Sequence, residues 1–276
     1  AAARPGEPTA VNAIEHLQVP GPHGDIPVRI YRANDSTQDQ PLLVYFHGGG
    51  HVIGSLDTHD ATARNLCAGA QCVVASVDYR MGPEHPFPAA VDDSIAATAW
   101  LSANASSLGV DATKIAVGGD SAGGNLAAVV ALDARDNAGP ALCFQLLVYP
   151  LADYRCNAAS YEQYASGYGM LEATSMYWFR DHYLRNEADQ EDWRASPLLA
   201  ANHGGLPPAL VITAECDVLH DEGVAYAQCL ASSGSIVEHL EGSGMIHGFF
   251  GMAPMISGAV VAQAQAVAAM RQAFGQ

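Results

Sequence analysis

The stretch Ile115-Ala116-Val117-Gly118-Gly119-Asp120-Ser121-Ala122-Gly123-Gly124-Asn125 lies where a short apolar run gives way to a helical pattern over residues 122–135. Inside it is a G-x-S-x-G motif, Gly119 to Gly123. With a strand before it and a helix after it, this motif marks a sharp turn that lifts a serine side chain above a sheet edge. The serine in such a turn sits in strained backbone. Positions two before and two after it are crowded against main chain, which is the physical reason for glycine at 119 and 123. The helix that follows aims free N-terminal amides, carrying roughly half a positive charge, at the reacting centre. Alone the motif is weak, since a plain strand-to-helix turn in a glycine-rich chain can carry the same letters.

The alternation continues outward in both directions. Apolar or β-branched runs at 26–31, 42–46, 73–77, 115–117, 144–149, 210–213 and 236–240 read as strands. Helical patterns fill the gaps at 58–68, 89–103, 122–135, 221–232 and 257–274. Buried strands alternating with helices predict an α/β fold, a mostly parallel central sheet with helices on both faces. At 276 residues this is read as one domain, 1–276. Segment 151–197 breaks the pattern. It holds Tyr154, Tyr161, Tyr164, Tyr168, Tyr177, Trp178 and Trp193, a helical stretch at 175–185 and no convincing strand. It reads as a cap-like insertion over the sheet, against the plainer alternative of an ordinary helical crossover.

A second glycine cluster strengthens the first. His47-Gly48-Gly49-Gly50 ends the 42–46 strand. Three glycines let main-chain amides approach a ligand closely, and the expected target is the oxyanion of a tetrahedral intermediate. The donors are assigned to Gly49 and Gly50, joined by Ala122 after the serine. Gly48 and His51 are assigned to the substrate-binding wall, and His47 to bracing the loop rather than carrying a proton. In folds built on this elbow the acid and then the histidine follow the serine along the chain. His247, in Met245-Ile246-His247-Gly248-Phe249 after the last strand, fits better than His239 within that strand or His220 at a helix start. Glu215, Asp217 and Asp221 all follow the 210–213 strand. Asp217 holds the loop position, whereas Asp221 and Glu222 read as first-turn acids that favour a helix N-terminus.

Composition excludes several classes. A net charge of -17 repels nucleic acid. Hydrophobic residues at 49% and charged ones at 15% indicate a globular chain. Lys114 is the only lysine, a balance compatible with salt adaptation or with base composition that favours arginine. Cys67, Cys72, Cys143, Cys156, Cys216 and Cys229 show no CxxC spacing and read as reduced thiols rather than a metal site or disulfide framework. No apolar run reaches membrane-spanning length. The N-terminus has no apolar signal core, and the expected location is cytoplasmic.

Together these segments resemble the bacterial hormone-sensitive-lipase-like esterases of the α/β-hydrolase fold, in the branch with a Gly-Asp-Ser-Ala-Gly motif. The resemblance runs from about Val19 to the C-terminus. It takes in the His47 loop, Asp78-Tyr79-Arg80, Pro83-Glu84-His85-Pro86-Phe87-Pro88, Gly119 to Asn125, Ser196-Pro197-Leu198, Thr213-Ala214-Glu215-Cys216-Asp217 and His247-Gly248-Phe249. It implies a Ser121, Asp217, His247 triad, an oxyanion hole at Gly49, Gly50 and Ala122, and no cofactor or metal. The implied substrate is a small-molecule ester, with no nucleic-acid or membrane partner; a homodimer is compatible with it. The chain departs from the family in three places. Little precedes Val19, which implies a shortened or missing half of the cap. His51 stands where an aromatic is common. Val218 and His220 replace a usual Pro and Arg. A ligand-binding pseudoenzyme on the same fold, an amidase and a true lipase are the competing readings.

Overall fold

From Pro41 onward every residue of strand β3 (Gln40–Phe46) is buried. Its side chains leave in alternate directions. Leu42, Val44 and Phe46 join a core with Val91, Leu126 and Val129, whereas Leu43 and Tyr45 join one with Leu66, Ala259 and Met270. A strand buried on both faces needs a neighbour on each edge and helices on each side. The computed structural model, which describes residues 8–36 and 39–276, provides both.

Seven further strands complete the sheet: β1 (Ala13–Gly21), β2 (Gly24–Arg32), β4 (Val73–Val77), β5 (Val110–Asp120), β6 (Leu142–Val148), β7 (Ala209–Cys216) and β8 (Val237–Ile246). Their order is β1-β2-β4-β3-β5-β6-β7-β8. β1 and β2 form an antiparallel hairpin, and β2 runs antiparallel to β4. Every pair from β4 to β8 is parallel. Helices α2 (Ala89–Ala103), α3 (Ala122–Asp136) and α6 (His220–Ser232) supply buried side chains to the first core. α1 (Asp60–Ala70) and α7 (Ser257–Ala273) supply them to the second. All six cysteines are free. Burial pushes the Cys67 and Cys156 thiols up to about 12.

Each strand read from the sequence lies within or beside an observed one, and two differences have physical causes. β1 escaped because Glu15, His16 and Gln18 blur its alternation, as befits an edge strand whose outer side meets water. β8 continues six residues beyond Leu240 because an edge strand need not be apolar: Glu238, His239 and Glu241 lie along it.

Segment 151–197 connects β6 to β7 without a strand, and carries α4 (Ser160–Gln163) and α5 (Ala173–Tyr183). Its two ends are pinned to the helix behind Ser121, because the buried Asn125 amide donates to Leu151 O at 2.9 Å and to Ala195 O at 2.7 Å. The start of α6 holds it too. Glu222 Oε1 accepts from the amides of Ala152 (2.8 Å) and Asp153 (3.2 Å), and Asp221 Oδ2 from that of Ser160 (2.9 Å). The expectation that Asp221 and Glu222 serve the helix terminus is therefore incomplete. Glu222 is buried, and that burial pushes its carboxyl well above the usual range.

Candidate active site

Ser121 lies between β5 and α3 with φ 57° and ψ −120°, a conformation that costs an L-residue energy. Its amide donates to Val148 O at 2.8 Å, which ties the turn to β6. A Cβ at Gly119 or at Gly123 would overlap the Phe46 carbonyl, so the turn closes only with glycine at both places.

Three strand ends then converge. His247 follows β8, with Nε2 3.0 Å from Ser121 Oγ and Nδ1 2.6 Å from Asp217 Oδ2. Asp217, just past β7, is 1% exposed, and its Oδ1 accepts from the Leu219 amide at 3.0 Å. The carboxylate can therefore only accept from His247, which leaves Nε2 free to take a proton from Ser121. The other candidates point elsewhere. Glu215 Oε2 accepts from the Gly244 amide at 2.7 Å. His239 reaches Thr213 Oγ1 at 2.9 Å, and His220 lies 2.9 Å from Asp221 and 3.2 Å from Glu241.

The glycine loop faces the same point. Gly49 and Gly50 have φ of 125° and 62°, and both line the cavity beside Ser121 and His247. A Cβ on Gly49 would strike the Ile53 carbonyl, and one on Gly50 the Phe179 ring. The Gly49 carbonyl accepts from the amides of Val52 (3.0 Å) and Ile53 (2.9 Å), closing the loop on itself. Among the described residues, the amides of Gly49, Gly50 and Ala122 donate to no protein acceptor. Gly48 also lines the cavity, but its amide is committed to Asp120 Oδ1 at 3.1 Å and His59 Nε2 at 3.3 Å. His47 is fully buried and stacked on Tyr79, ring centroids 4.5 Å apart, with Nδ1 2.8 Å from Gly48 O. Burial lowers its pKa to about 4, which suits a neutral brace.

His51 departs from expectation. It is fully buried, stacked on Tyr183 at 4.2 Å, and its Nδ1 lies 2.6 Å from Tyr154 Oη. It is outside the cavity wall. The loop turns left-handed at His51, φ 60°, and swings the ring beneath segment 151–197 instead of into the pocket. Burial lowers its pKa to about 3.

The cavity measures about 420 Å³. Leu171 and Phe179 from segment 151–197 form its apolar wall with Ile53, Phe250 and Met252, and Met170 stands at its edge, 67% exposed. None of these belongs to a motif. Phe250 could have been suspected from its place three residues after His247, and Phe179 from the aromatic density of its segment. Leu171 and Met252 carried no signal. Among the described residues no group of three or more His, Cys, Asp or Glu side chains could hold a metal ion, and no helix is long and apolar enough to cross a membrane.

A serine on a strained elbow, a histidine between it and a buried carboxylate, and a glycine loop with free amides define the serine-hydrolase class of α/β fold. Residues 43–251 match the family model for the alpha/beta hydrolase fold, and the chain belongs to that family, in its hormone-sensitive-lipase-like branch. It is 42% identical over 275 residues to the carboxylic ester hydrolase LipN of Mycobacterium tuberculosis, covering 98% of this chain and 72% of that one. An ethyl acetate hydrolase of Pseudomonas putida is 42% identical over 255 residues, covering 90% of this chain and 78% of that one. Among solved structures, a hyperthermophilic esterase from Pyrobaculum calidifontis superposes with a TM-score of 0.93 at 42% identity, covering 96% of this chain and 87% of that one.

Proposed function

We propose that this chain is a serine carboxylesterase that hydrolyses short- to medium-chain acyl esters through an acyl-enzyme. The observation that carries the reading is the continuous line Ser121 Oγ, His247, Asp217, at 3.0 and 2.6 Å, beneath free glycine-loop amides. His247 accepts the Ser121 proton as Oγ attacks the ester carbonyl, and the carbonyl oxygen becomes an oxyanion held by the amides of Gly49, Gly50 and Ala122. Collapse expels the alcohol, which takes the proton from His247. A water then loses a proton to His247 and attacks the acyl carbon, and collapse frees the acid as Ser121 Oγ takes that proton back from His247. Asp217 holds the imidazole in the tautomer this needs.

The relatives named as ester hydrolases support the reaction class, and the cavity supports the chain-length range. Each methylene buried against Leu171, Phe179, Phe250 or Met252 gains roughly 0.8 kcal/mol, and one left in water gains nothing. A space of about 420 Å³ therefore rewards acyl chains only up to a few carbons. Turnover of p-nitrophenyl esters is expected to be best at about two to eight acyl carbons, without a jump above the solubility limit. Ser121→Ala is expected to remove turnover and fluorophosphonate labelling together, while circular dichroism stays native. Rising kcat/KM out to palmitate, or activation by emulsified triglyceride, would make the protein a lipase. Retained turnover in Ser121→Ala would remove the nucleophile assignment.

A further inference from the structure

A second histidine stands against the glycine loop, outside the proton path. His59, at the mouth of α1, has Nε2 3.3 Å from Asp120 Oδ2 and Nδ1 2.9 Å from Thr58 Oγ1. Thr58 Oγ1 already donates to Ser55 O at 2.9 Å, so it can only accept from His59. Asp120 is 8% exposed, and its Oδ1 accepts from Tyr45 Oη at 2.6 Å and from the Gly48 amide at 3.1 Å. Nδ1 of His59 therefore faces an acceptor, while Nε2 faces the Asp120 carboxylate and, also at 3.3 Å, the Gly48 amide, whose nearer acceptor is Asp120 Oδ1 at 3.1 Å. With the Gly48 proton on the nearer Asp120 Oδ1, the imidazolium is the protonation state in which His59 donates to both Asp120 and Thr58. A neutral ring protonated on Nδ1 would accept from the Gly48 amide but set the same lone pair against the Asp120 carboxylate, and one protonated on Nε2 would take the hydroxyl proton that Ser55 O receives.

Charge balance points the same way. Asp120 precedes the nucleophile and lines the same cavity, where an unpaired carboxylate would oppose the developing oxyanion. The other charged groups around His59 do not compete for it. Asp57 is held by Arg29 and Asp60 by Arg64. His47, with its ring centroid 5.4 Å away, is neutral by burial.

We propose that His59 is a positioning residue held as an imidazolium on Asp120, which neutralises that carboxylate and fixes it on the Gly48 amide, so that the Gly49 and Gly50 amides stay turned toward Ser121. Its catalytic consequence rests on the esterase reading; its charge state does not. Burial opposes the charged ring, but the Asp120 charge and hydrogen bond outweigh it and raise the His59 pKa above its ordinary value. On Asp120 burial is likewise outweighed, chiefly by the His59 charge, and its carboxyl falls to about 2. Because the histidine value is raised, the pair is intact below the ordinary histidine range and is lost as pH climbs past that raised value.

The charge state is read by ¹⁵N-edited NMR of the histidine side chains, with His59 identified by its displacement in Asp120→Asn. Both His59 nitrogens should be protonated at pH 7 in the wild type, and the ring should become neutral in Asp120→Asn. In activity, His59→Gln should lower kcat roughly ten- to hundredfold with KM little changed, less than the cost of losing an oxyanion donor outright. The wild type is expected to lose activity as pH rises past the His59 value, and His59→Gln should abolish that alkaline decline. A neutral His59 at pH 7 would overturn the proposal even if the protein proves to hydrolyse no ester. A His59→Gln enzyme with the wild-type kcat and pH profile would overturn the positioning role.

Discussion

The glycine loop with the elbow, and segment 151–197, border one cavity, yet they are built from different materials. Gly49, Gly50, Gly119 and Gly123 contribute backbone, and at each of them a single added carbon meets a carbonyl or a packed ring. Segment 151–197 contributes side chains, Leu171 and Phe179 in the wall and Met170 at the edge. At Gly49, Gly119 and Gly123 the backbone tolerates no volume, because the atoms a Cβ would strike are main chain of β3, the elbow and the loop itself, whereas at Gly50 it would strike the Phe179 ring. Side chains can be exchanged for others of similar size at modest cost. The loop and elbow should therefore decide whether the reaction runs, and the segment which ester runs best.

Gly123→Ala tests the rigid half most severely. Its Cβ would lie inside the Phe46 carbonyl, so β3 or α3 must move. Stability is expected to fall by about 3 kcal/mol or more, with kcat at least roughly a hundredfold lower in whatever folds. A variant with wild-type Tm and kcat would show that the elbow has slack, and the comparison would break. His51→Trp is intermediate. The ring is stacked on Tyr183 and bonded to Tyr154 where the loop meets segment 151–197, so enlargement should cost about 1–3 kcal/mol, read as a lower Tm. Its kcat/KM loss should be equal across an ester panel. A change in preference at constant Tm would return His51 to the pocket wall. Met170→Ala should do least. With its side chain mostly in water, it should leave Tm unchanged within about 0.5 kcal/mol and shift kcat/KM a fewfold, for longer acyl chains only. A uniform loss would mean that the segment also shapes the reacting centre.

Much of the rigid half was legible in the chain. Glycine at 119 and 123, three glycines after an apolar run, and a histidine after the last strand are requirements of local geometry, and local geometry writes itself as residue type at fixed spacing. The same logic separated Asp217 from Glu215 and Asp221 by loop position, and the structure places Asp217 against His247. His51 shows where the logic ends. Gly48, Gly49, Gly50 and Ile53 near it line the site, but a left-handed turn at one residue sends it to Tyr154 and Tyr183, more than a hundred positions away.

The sequence by itself determined the class of fold, the strand–helix rhythm and the residues that could act as nucleophile, base, acid and oxyanion donors, because each rests on backbone conformation or side-chain chemistry over a few residues. Only the tertiary structure decided which side chains wall the cavity, that Asn125 and Glu222 anchor segment 151–197, and that His59 faces Asp120. Those depend on where separate strand ends and helix mouths meet. Such meetings are set by packing and by hydrogen bonds between distant positions, for which no short pattern of residues exists.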